Sequence, residues 1–399
     1  HEVQMGKNYH GFVPFKLTDP FPACEELRAE APVMWDDRIN MFVVSRYEDV
    51  KYVFDNWELF SSKDAQAPIR PLGASAKKVM EEGKFTTYSG LSARIPPEHT
   101  RIREVATKAF TPRRYKVLEP FIRENAVRLI EGMKAKGTNS GDILPELAWD
   151  LPTLTIFALI GVPLDMIEQV KEWAGSRATL TWGDLSDEEQ IPHAHNMVAY
   201  WNFCQKLVAE AKITPGDNLV TDLVNLQAAG DDISDHEIAS FLYSLLFAGH
   251  ETTTTLISNS VVQLMQNPAK IPGAVEEVLR TAGSIFSWRR TAMVDTEING
   301  VAIPKEGQLL LLMGSANRDP EMFANPDDFD ITRQNARQHL SFGFGIHYCI
   351  GNMLGKLQTK VALEELVNNV PTMQLAPGTD IEFGDNLSFR VPVSVPVVF

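Results

Sequence analysis

The feature that most constrains the fold is a stretch of about thirty residues, from Ser234 to Gln266, with the pattern of one long apolar helix. Ser234 and Glu237 have the spacing of a capping box, in which each side chain accepts a hydrogen bond from the other residue's backbone N–H. A helix of that length measures about 48 Å. Because a rod so long and so apolar must be buried, we predict that it crosses the middle of a large, mainly helical protein.

The other segments predict more helices and only short strands. Helical patterns occupy most of residues 97–233, with breaks at Pro and Gly, and one more is predicted over residues 349–370. Strand-like pieces fall at residues 33–35, 41–45, 289–294, 297–298, 309–313 and 381–399. Residues 64–94 have no clear period and are predicted to form a long loop with helical turns, a kind of segment that is often functional. We expect a mainly α fold with small β-sheets, in a single domain over residues 1–399.

Charge and cysteine content narrow the possible partners and the compartment. The net charge of −15 argues against nucleic acid, because phosphate binding needs clustered Lys and Arg. The three cysteines, Cys24, Cys204 and Cys349, are too few and too scattered for a disulfide framework and suit a reducing compartment. With no apolar run of about 18 residues and no signal-like N-terminus, we expect a cytoplasmic protein that does not enter a membrane.

Residues 342–351 carry the strongest chemical signal in the chain. Gly343 and Gly345 allow a tight turn and the close approach of a flat ligand. Cys349 is predicted to open a helix, where backbone N–H groups stabilise a thiolate. A lone cysteine is more often a small buried apolar residue. The surrounding Phe-Gly-x-Gly-x-His-x-Cys-x-Gly spacing instead favours an axial ligand to a haem iron.

This segment resembles the haem-binding loop of the cytochrome P450 family. The resemblance implies the cytochrome P450 fold, with the long central helix over haem b (iron protoporphyrin IX). It also implies that Cys349 is the proximal iron ligand, that Phe342 packs beside the sulfur and that His347 reaches a haem propionate. Gly343 and Gly351 would complete the cofactor-binding loop.

The middle of the long helix resembles the family's oxygen-activating stretch. Gly249 and the four threonines from Thr252 weaken a helix interior, since threonine hydroxyls compete for backbone carbonyls, and we expect a groove there for dioxygen and water. The resemblance implies that Glu251 and Thr252 relay protons to the distal oxygen, and that Ala248 and Gly249 contact the cofactor. From the residue types alone, without the resemblance, a polar patch on a buried helix is the simpler interpretation of this segment.

Two further segments match the family in the expected order. His99 and Arg103 share one face of a helix, and with Arg290 on a later strand they are implied to bind the propionates, as suits a cofactor with two carboxylates.

Glu277 and Arg280 match the family's Glu-x-x-Arg, and Arg333 is the residue that the resemblance pairs with them in a structural role. Residues 268–272 form a shorter connection before this motif than the family usually has.

Other catalytic classes fit the sequence less well. His250 and Glu251 begin like a zinc-protease helix, but residue 254 is Thr and not the second His. Residue 348 is Tyr, so the Gly343-x-Gly345 pair lacks the third glycine of a dinucleotide loop. A haem-thiolate sensor that binds ligand without turnover remains an alternative, although a binder needs no proton relay. Peroxide-driven oxidation without a redox partner is a second.

The expected activity is that of an O2-dependent monooxygenase, which adds one oxygen atom to an organic substrate by hydroxylation or O-dealkylation. Electrons would come from NAD(P)H through a ferredoxin or a fused FMN and iron–sulfur reductase domain. The chain is most similar to soluble bacterial members, including the thiocarbamate-inducible type and the haem domains of self-sufficient fusions. By family position the pocket is mainly apolar, which favours a small hydrophobic or aromatic substrate. Its expected lining residues are Leu245, Ala248, Ile285, Phe286 and Ser388.

Overall fold

A computed structural model describes residues 9–87, 90–266 and 274–399. The helices in these ranges are α1 (Phe21–Glu30), α2 (Tyr47–Asp55), α3 (Ala74–Glu82), α4 (Glu98–Ala109), α5 (Pro112–Ala135), α6 (Asp150–Ile160), α7 (Ile167–Trp182), α8 (Gln190–Ile213), α9 (Leu219–Ala228), α10 (Asp235–Gln266), α11 (Ala274–Ala282), α12 (Met313–Ala316) and α13 (Asn352–Asn369). The strands are β1 (Val33–Asp36), β2 (Met41–Val44), β3 (Phe60–Ser61), β4 (Ser140–Asp142), β5 (Ser287–Ala292), β6 (Thr296–Ile298), β7 (Val301–Ile303), β8 (Gln308–Leu312), β9 (Gln374–Leu375) and β10 (Pro396–Val398). The predicted mainly α fold with small sheets is confirmed. The short connection predicted at residues 268–272 lies outside the described residues.

The central helix α10 begins where its capping box predicts. The Ser234 hydroxyl accepts from the Glu237 N–H at 3.1 Å, and Glu237 Oε1 accepts from the Ser234 N–H at 3.0 Å. Along its 32 residues α10 packs against α6, α8 and α13. Leu242, Leu246 and Ile257 are fully buried in the large apolar core that these helices form, so α10 crosses the middle of the molecule.

The threonine run does not break α10, which stays helical through residues 249–255. The Thr255 hydroxyl donates to the Glu251 carbonyl at 2.9 Å, and the Ser258 hydroxyl donates to the Thr254 carbonyl at 2.8 Å. These bonds satisfy the hydroxyls of Thr255 and Ser258 and leave the backbone ladder in place, whereas Thr254 Oγ1 is buried without a partner among the described residues. The groove predicted here for dioxygen and water therefore stays a prediction, and Gly249, Thr252 and Thr253 of this intact helix line a cavity.

The largest sheet joins distant parts of the chain in the order β1-β2-β8-β5-β3. Strand β8 lies in its interior, parallel to β2 and antiparallel to β5. Its leucines 309 to 312 are all fully buried, as expected of a strand covered on both faces. This sheet places β5, with Trp288 and Arg290 on one face, beside the cavity described below.

Two local predictions near the C-terminus are wrong. Helix α13 begins at Asn352 and not at Cys349, because residues 350–351 form a turn that ends in Gly351, the N-cap of the helix. Within residues 381–399 only β10 is a strand, paired with β4 and β9. Pro392 and Pro396 lack the N–H that a ladder requires, which limits pairing in this tail.

The loop predicted over residues 64–94 contains the nine-residue helix α3. Within the described ranges, the structure has no helix whose length and hydropathy suit a membrane crossing.

Candidate active site

A cavity lies between the middle of α10 and residues 342–351, the cysteine loop. Ala248 and Thr252 line it from the helix, and Phe342 and Cys349 line it from the loop. None of the described residues that line it is Asp or Glu. A cavity of this kind can take a large apolar ligand and any carboxylates that the ligand carries.

The cysteine loop is held by its own backbone. The Cys349 N–H donates to the Phe342 carbonyl at 3.0 Å, and the Tyr348 N–H donates to the Gly345 carbonyl at 3.1 Å. Gly343 and Gly345 have φ values of +77° and +79°, which only glycine adopts without strain. This geometry directs the Cys349 side chain into the cavity.

The surroundings of Cys349 have two opposing effects on the pKa of its thiol. Burial raises the pKa of the Cys349 thiol, whereas the Gly351 N–H, Arg103 and Lys356 lower it. The stabilising amide thus comes from the turn before α13 and not from the first turn of a helix. A metal cation at the sulfur would deprotonate the thiol outright, so the group is suited to be an iron ligand.

Basic side chains gather along one edge of the cavity. The rings of His99 and His347 lie 4.4 Å apart, and Arg290 and Arg103 also line the cavity. Burial lowers the pKa of His99 to about 4, that of His347 to about 3 and that of Arg290 to about 10. The burial of so many basic groups without a carboxylate is costly. The edge therefore fits the two propionates of a haem.

The four basic residues differ in how many of their donors are already used. His99 Nε2 is buried without a partner among the described residues. His347 Nε2 lies 2.6 Å from the Arg94 carbonyl, and Arg290 Nη1 donates to the Arg289 carbonyl at 2.8 Å. Unused guanidinium donors and an orphaned imidazole nitrogen are what a carboxylate ligand would satisfy.

Arg103 braces the loop as well as lining the cavity. Its guanidinium donates to the carbonyls of Ile346 at 3.3 Å and Tyr348 at 2.7 Å. It therefore acts on the sulfur through the position of the loop, in addition to any contact with a propionate.

On the opposite side of the cavity, Thr252 and Glu251 occupy neighbouring faces of α10. Thr252 lines the cavity, and its hydroxyl donates to the Ala248 carbonyl. Glu251 is buried behind the cavity wall, 3.9 Å from Nδ1 of His250. Burial raises the pKa of Glu251 to about 7, so this carboxyl can gain and lose a proton near neutrality.

Gly249 serves helix packing. A Cβ at this position would lie 2.7 Å from the Cδ1 atom of Ile156, so glycine lets α6 approach α10 closely. Gly249 also lines the cavity.

Glu277, Arg280 and Arg333 form one buried cluster. Glu277 accepts from Arg280 and, at 3.0 Å, from Nε of Arg333. Arg280 also donates to the carbonyls of Asn317 at 2.9 Å and Pro326 at 2.7 Å. The cluster ties α11 to the irregular segment that precedes the cysteine loop.

Of the predicted substrate contacts, Leu245, Ala248 and Ile285 line the cavity, but Phe286 and Ser388 do not. Ile285 pairs with Phe389 in an isolated bridge. Because side chains alternate along extended chain, the neighbours Phe286 and Ser388 point away, and both are buried elsewhere. These two predictions are wrong.

Several lining residues escaped the sequence analysis. Arg177 of α7 lines the cavity, although nothing in its sequence context separates it from a surface arginine. Ser244 lies one helical turn before Ala248, a spacing that could have indicated it. Phe247, Trp288 and Phe389 add an aromatic lining.

A buried cysteine, an edge of basic side chains and a polar spot on the facing helix are together the features that a haem-thiolate oxygenase requires. Comparison with known proteins points the same way. The family model described as Cytochrome P450 matches residues 271–390. The erythromycin C-12 hydroxylase of Saccharopolyspora erythraea is 35% identical, over 86% of this chain and 84% of that protein.

Two solved structures extend the comparison to the fold. Cytochrome P450 CREJ in complex with (4-ethylphenyl) dihydrogen phosphate is 58% identical over 98% of this chain and 100% of that chain, with a TM-score of 0.96. An intact type IV self-sufficient cytochrome P450 monooxygenase is 32% identical over 99% of this chain and 53% of that chain, with a TM-score of 0.90. This protein belongs to the cytochrome P450 family. Its cofactor is haem b, and it is an oxidoreductase of the monooxygenase class.

Proposed function

We propose that this protein hydroxylates the alkyl group of a small alkyl-substituted aromatic compound, at the expense of O2 and reducing equivalents. The observation that carries the substrate class is the aromatic and aliphatic lining of the cavity, to which Phe247, Trp288, Phe389 and Leu245 contribute. The ring of Phe389 packs edge-to-face against those of Phe247 and Trp288, and such an aromatic wall favours an apolar aromatic ligand. Cytochrome P450 CREJ, 58% identical to this chain, was solved in complex with (4-ethylphenyl) dihydrogen phosphate, an alkyl-substituted aromatic compound, which supports the proposal.

In this proposal Cys349 holds the iron, and His99, Arg103, Arg290 and His347 bind the propionates. The haem supplies the chemistry of dioxygen activation. The protein orients the cofactor through the basic edge of the cavity and excludes water with the apolar lining. The whole of residues 1–399 acts as one catalytic unit.

Thr252 and Glu251 are proposed to deliver protons on the oxygen-binding side. The Thr252 hydroxyl is fixed by its bond to the Ala248 carbonyl, and its oxygen remains able to accept a hydrogen bond at the cavity that Thr252 lines. Glu251, with a pKa of about 7, can exchange protons with the interior. The pair allows a proton to reach the cavity without open access for bulk water.

Electrons are proposed to come from NAD(P)H through a ferredoxin or a fused FMN and iron–sulfur reductase. The likeness to about half of a self-sufficient monooxygenase supports a separable haem domain of this kind. Peroxide-driven turnover is the competing route, and it needs no reductase.

The test is turnover of purified, haem-loaded protein with 4-alkylphenols and their esters. Reactions with NADH, ferredoxin and ferredoxin reductase are compared with reactions that contain peroxide alone, and products are identified by mass spectrometry. Hydroxylated product that depends on the reductase supports the proposal. Product only with peroxide would favour the peroxygenase. Ligand binding with no product under either condition would favour a sensor.

A further inference from the structure

We propose that the ion pair between Glu276 and Lys356 sets how strongly the Cys349 sulfur donates electrons to a bound haem iron. Both are positioning residues, because they act through the sulfur and touch neither the substrate nor the cofactor. The charge of Lys356 weakens the donation, and Glu276 moderates the effect of that charge. The inference rests on the proposed role of Cys349 as the iron ligand and does not depend on the substrate.

Lys356 brings a positive charge close to the cysteine loop. Its Nζ atom on α13 lies 5.6 Å from the centroid of the Phe342 ring, and the Phe342 carbonyl accepts the bond from the Cys349 N–H. Burial raises the pKa of the Cys349 thiol, and the charge of Lys356 is one of the influences that lower it. A charge that stabilises the thiolate in this way also holds its electron density on the sulfur, so less of it reaches a metal.

Glu276 on α11 is the counter-charge of this lysine. Its Oε1 atom lies 2.8 Å from Lys356 Nζ, and the pair joins α11 to α13. The side chain of Glu276 is 18% exposed and that of Lys356 is 30% exposed. Because water screens such partly buried charges incompletely, their fields extend to neighbouring groups. The carboxylate therefore offsets part of the field of the ammonium at the sulfur.

His339 fixes the carboxylate of Glu276. The His339 side chain is buried, and its Nδ1 accepts from the Ser341 N–H at 3.2 Å. The neutral ring therefore carries its proton on Nε2, which donates to Glu276 Oε2 at 2.9 Å. Burial opposes the ionisation of Glu276, but the bonds from His339 and Lys356 lower its pKa to about 2. The carboxylate is thus charged and held in place at neutral pH.

The pair lies outside the cavity, which makes its charge separable from ligand binding. Neither Glu276 nor Lys356 lines the cavity. Arg103 also lowers the pKa of the Cys349 thiol, but it lines the cavity and donates to two carbonyls of the cysteine loop. A substitution of Arg103 would move the loop. Lys356 instead provides a charge that can be removed while these loop bonds stay in place.

The experiment is a spectroelectrochemical titration of the substrate-free, haem-loaded protein, in which one electron from dithionite reduces the ferric iron. Lys356→Met should lower the equilibrium constant for reduction about tenfold, which is about 59 mV for one electron. Glu276→Gln keeps an oxygen that accepts from His339, and should raise the constant about threefold. In the double variant the two effects should partly cancel.

Two further variants separate the charge from its surroundings. Lys356→Arg keeps the charge and should stay within about twofold of the wild type. Lys360→Met removes an exposed charge one turn further along α13, where Lys360 lies 3.8 Å from Glu364, and is the matched control. It should change the equilibrium constant less than about twofold, because exposed charges are well screened.

An infrared measurement reports on the sulfur itself. In the reduced, carbon-monoxide-treated protein, greater electron donation by the thiolate lowers the C–O stretching frequency. We expect the frequency to fall in Lys356→Met, to rise in Glu276→Gln and to stay unchanged in Lys360→Met. A shift in potential with no shift in this frequency would mean that the charges do not act through Cys349, and would overturn the proposal.

Equal changes of potential in Lys356→Met and Lys360→Met would also contradict it, because they would reflect the total charge of the protein. The proposed function fails in different ways. A wild-type protein without the thiolate signature would refute the ligand assignment and this inference with it. If the variants shift as expected but no alkylphenol is hydroxylated, only the substrate class is wrong.

Discussion

The backbone N–H of Cys349 donates a 3.0 Å hydrogen bond to the carbonyl oxygen of Phe342. This bond closes the ligand loop on itself, so the loop does not need α13 to set the direction of the sulfur. Phe342 both accepts this bond and lines the cavity next to the thiol. The position of the Cys349 sulfur is therefore set by the loop's own backbone together with the bonds from Arg103.

Cys349→Ser should remove the thiolate signature from the absorption spectrum of the reduced, carbon-monoxide-treated protein, because an alcohol does not replace a thiolate as iron ligand. The loop geometry is made by the backbone, and the thermal midpoint should fall only slightly. Cys204→Ala is the matched control: this cysteine is buried in the core away from the cavity. An unchanged spectrum in Cys349→Ser would contradict the ligand assignment.

Thr252→Ala should keep haem and substrate binding but divert reducing equivalents to hydrogen peroxide, because it removes the hydroxyl that faces the cavity. The measurement is the ratio of product formed to NADH consumed, which we expect to fall several-fold. Thr255→Ala loses an equivalent hydroxyl bond to a backbone carbonyl outside the cavity. If the ratio of product formed to NADH consumed falls equally in both variants, the effect comes from a change in the helix and not from loss of the Thr252 hydroxyl.

Glu251→Gln should change how stability depends on pH. Burial raises the pKa of Glu251 to about 7 from 4.5, so the fold favours the protonated carboxyl. Its contribution to stability is present below pH 4.5 and is lost as pH rises through 7, by up to about 3 kcal/mol. Glutamine does not ionise, and the variant should gain thermal stability relative to wild type between pH 5 and pH 8.

His250, 3.9 Å from the Glu251 carboxyl, should not obscure this effect. Burial and the charge of Lys171 lower the pKa of His250 to about 3, which keeps it neutral throughout the range. If the difference in thermal stability between wild type and Glu251→Gln does not depend on pH, the pKa of Glu251 is not raised.

Glu277→Ala should destabilise the protein by about 3–5 kcal/mol, since it leaves two buried guanidinium groups without their shared carboxylate. The measurements are the free energy of unfolding in urea and the amount of haem retained. Both should fall, because Arg280 and Arg333 hold the segment before the cysteine loop. Glu82→Ala breaks the exposed pair with Lys78 and should cost under about 0.5 kcal/mol. Similar losses in both variants would contradict the structural role of the buried cluster.

What could be predicted from the sequence was encoded locally. The capping box of α10 needs only Ser234 and Glu237, and the motif of the cysteine loop is contained in ten consecutive residues. The presence of His99 and Arg290 at one cavity was predicted as well, but only through family resemblance. Nothing in their own segments would have brought these two side chains to one cavity.

The errors arose where tertiary pairing decides the direction of a side chain. Phe286 and Ser388 adjoin true lining residues, but the bridge between Ile285 and Phe389 turns them away. The predicted start of α13 is three residues early, because a turn at residues 350–351 precedes the helix. Arg177 was overlooked because its partner Gln66 lies on a distant segment, and no period in the sequence connects the two.

The parallel pairing of β2 with β8 has a consequence for biosynthesis. Phe42 lies opposite Leu309, so the early hairpin of β1 and β2 has one edge that stays open until most of the chain has left the ribosome. Contacts between such distant segments form slowly, and open strand edges invite association with other chains. Folding yield in a heterologous host should therefore depend on chaperone supply and on low expression temperature more than on the stability of the finished enzyme.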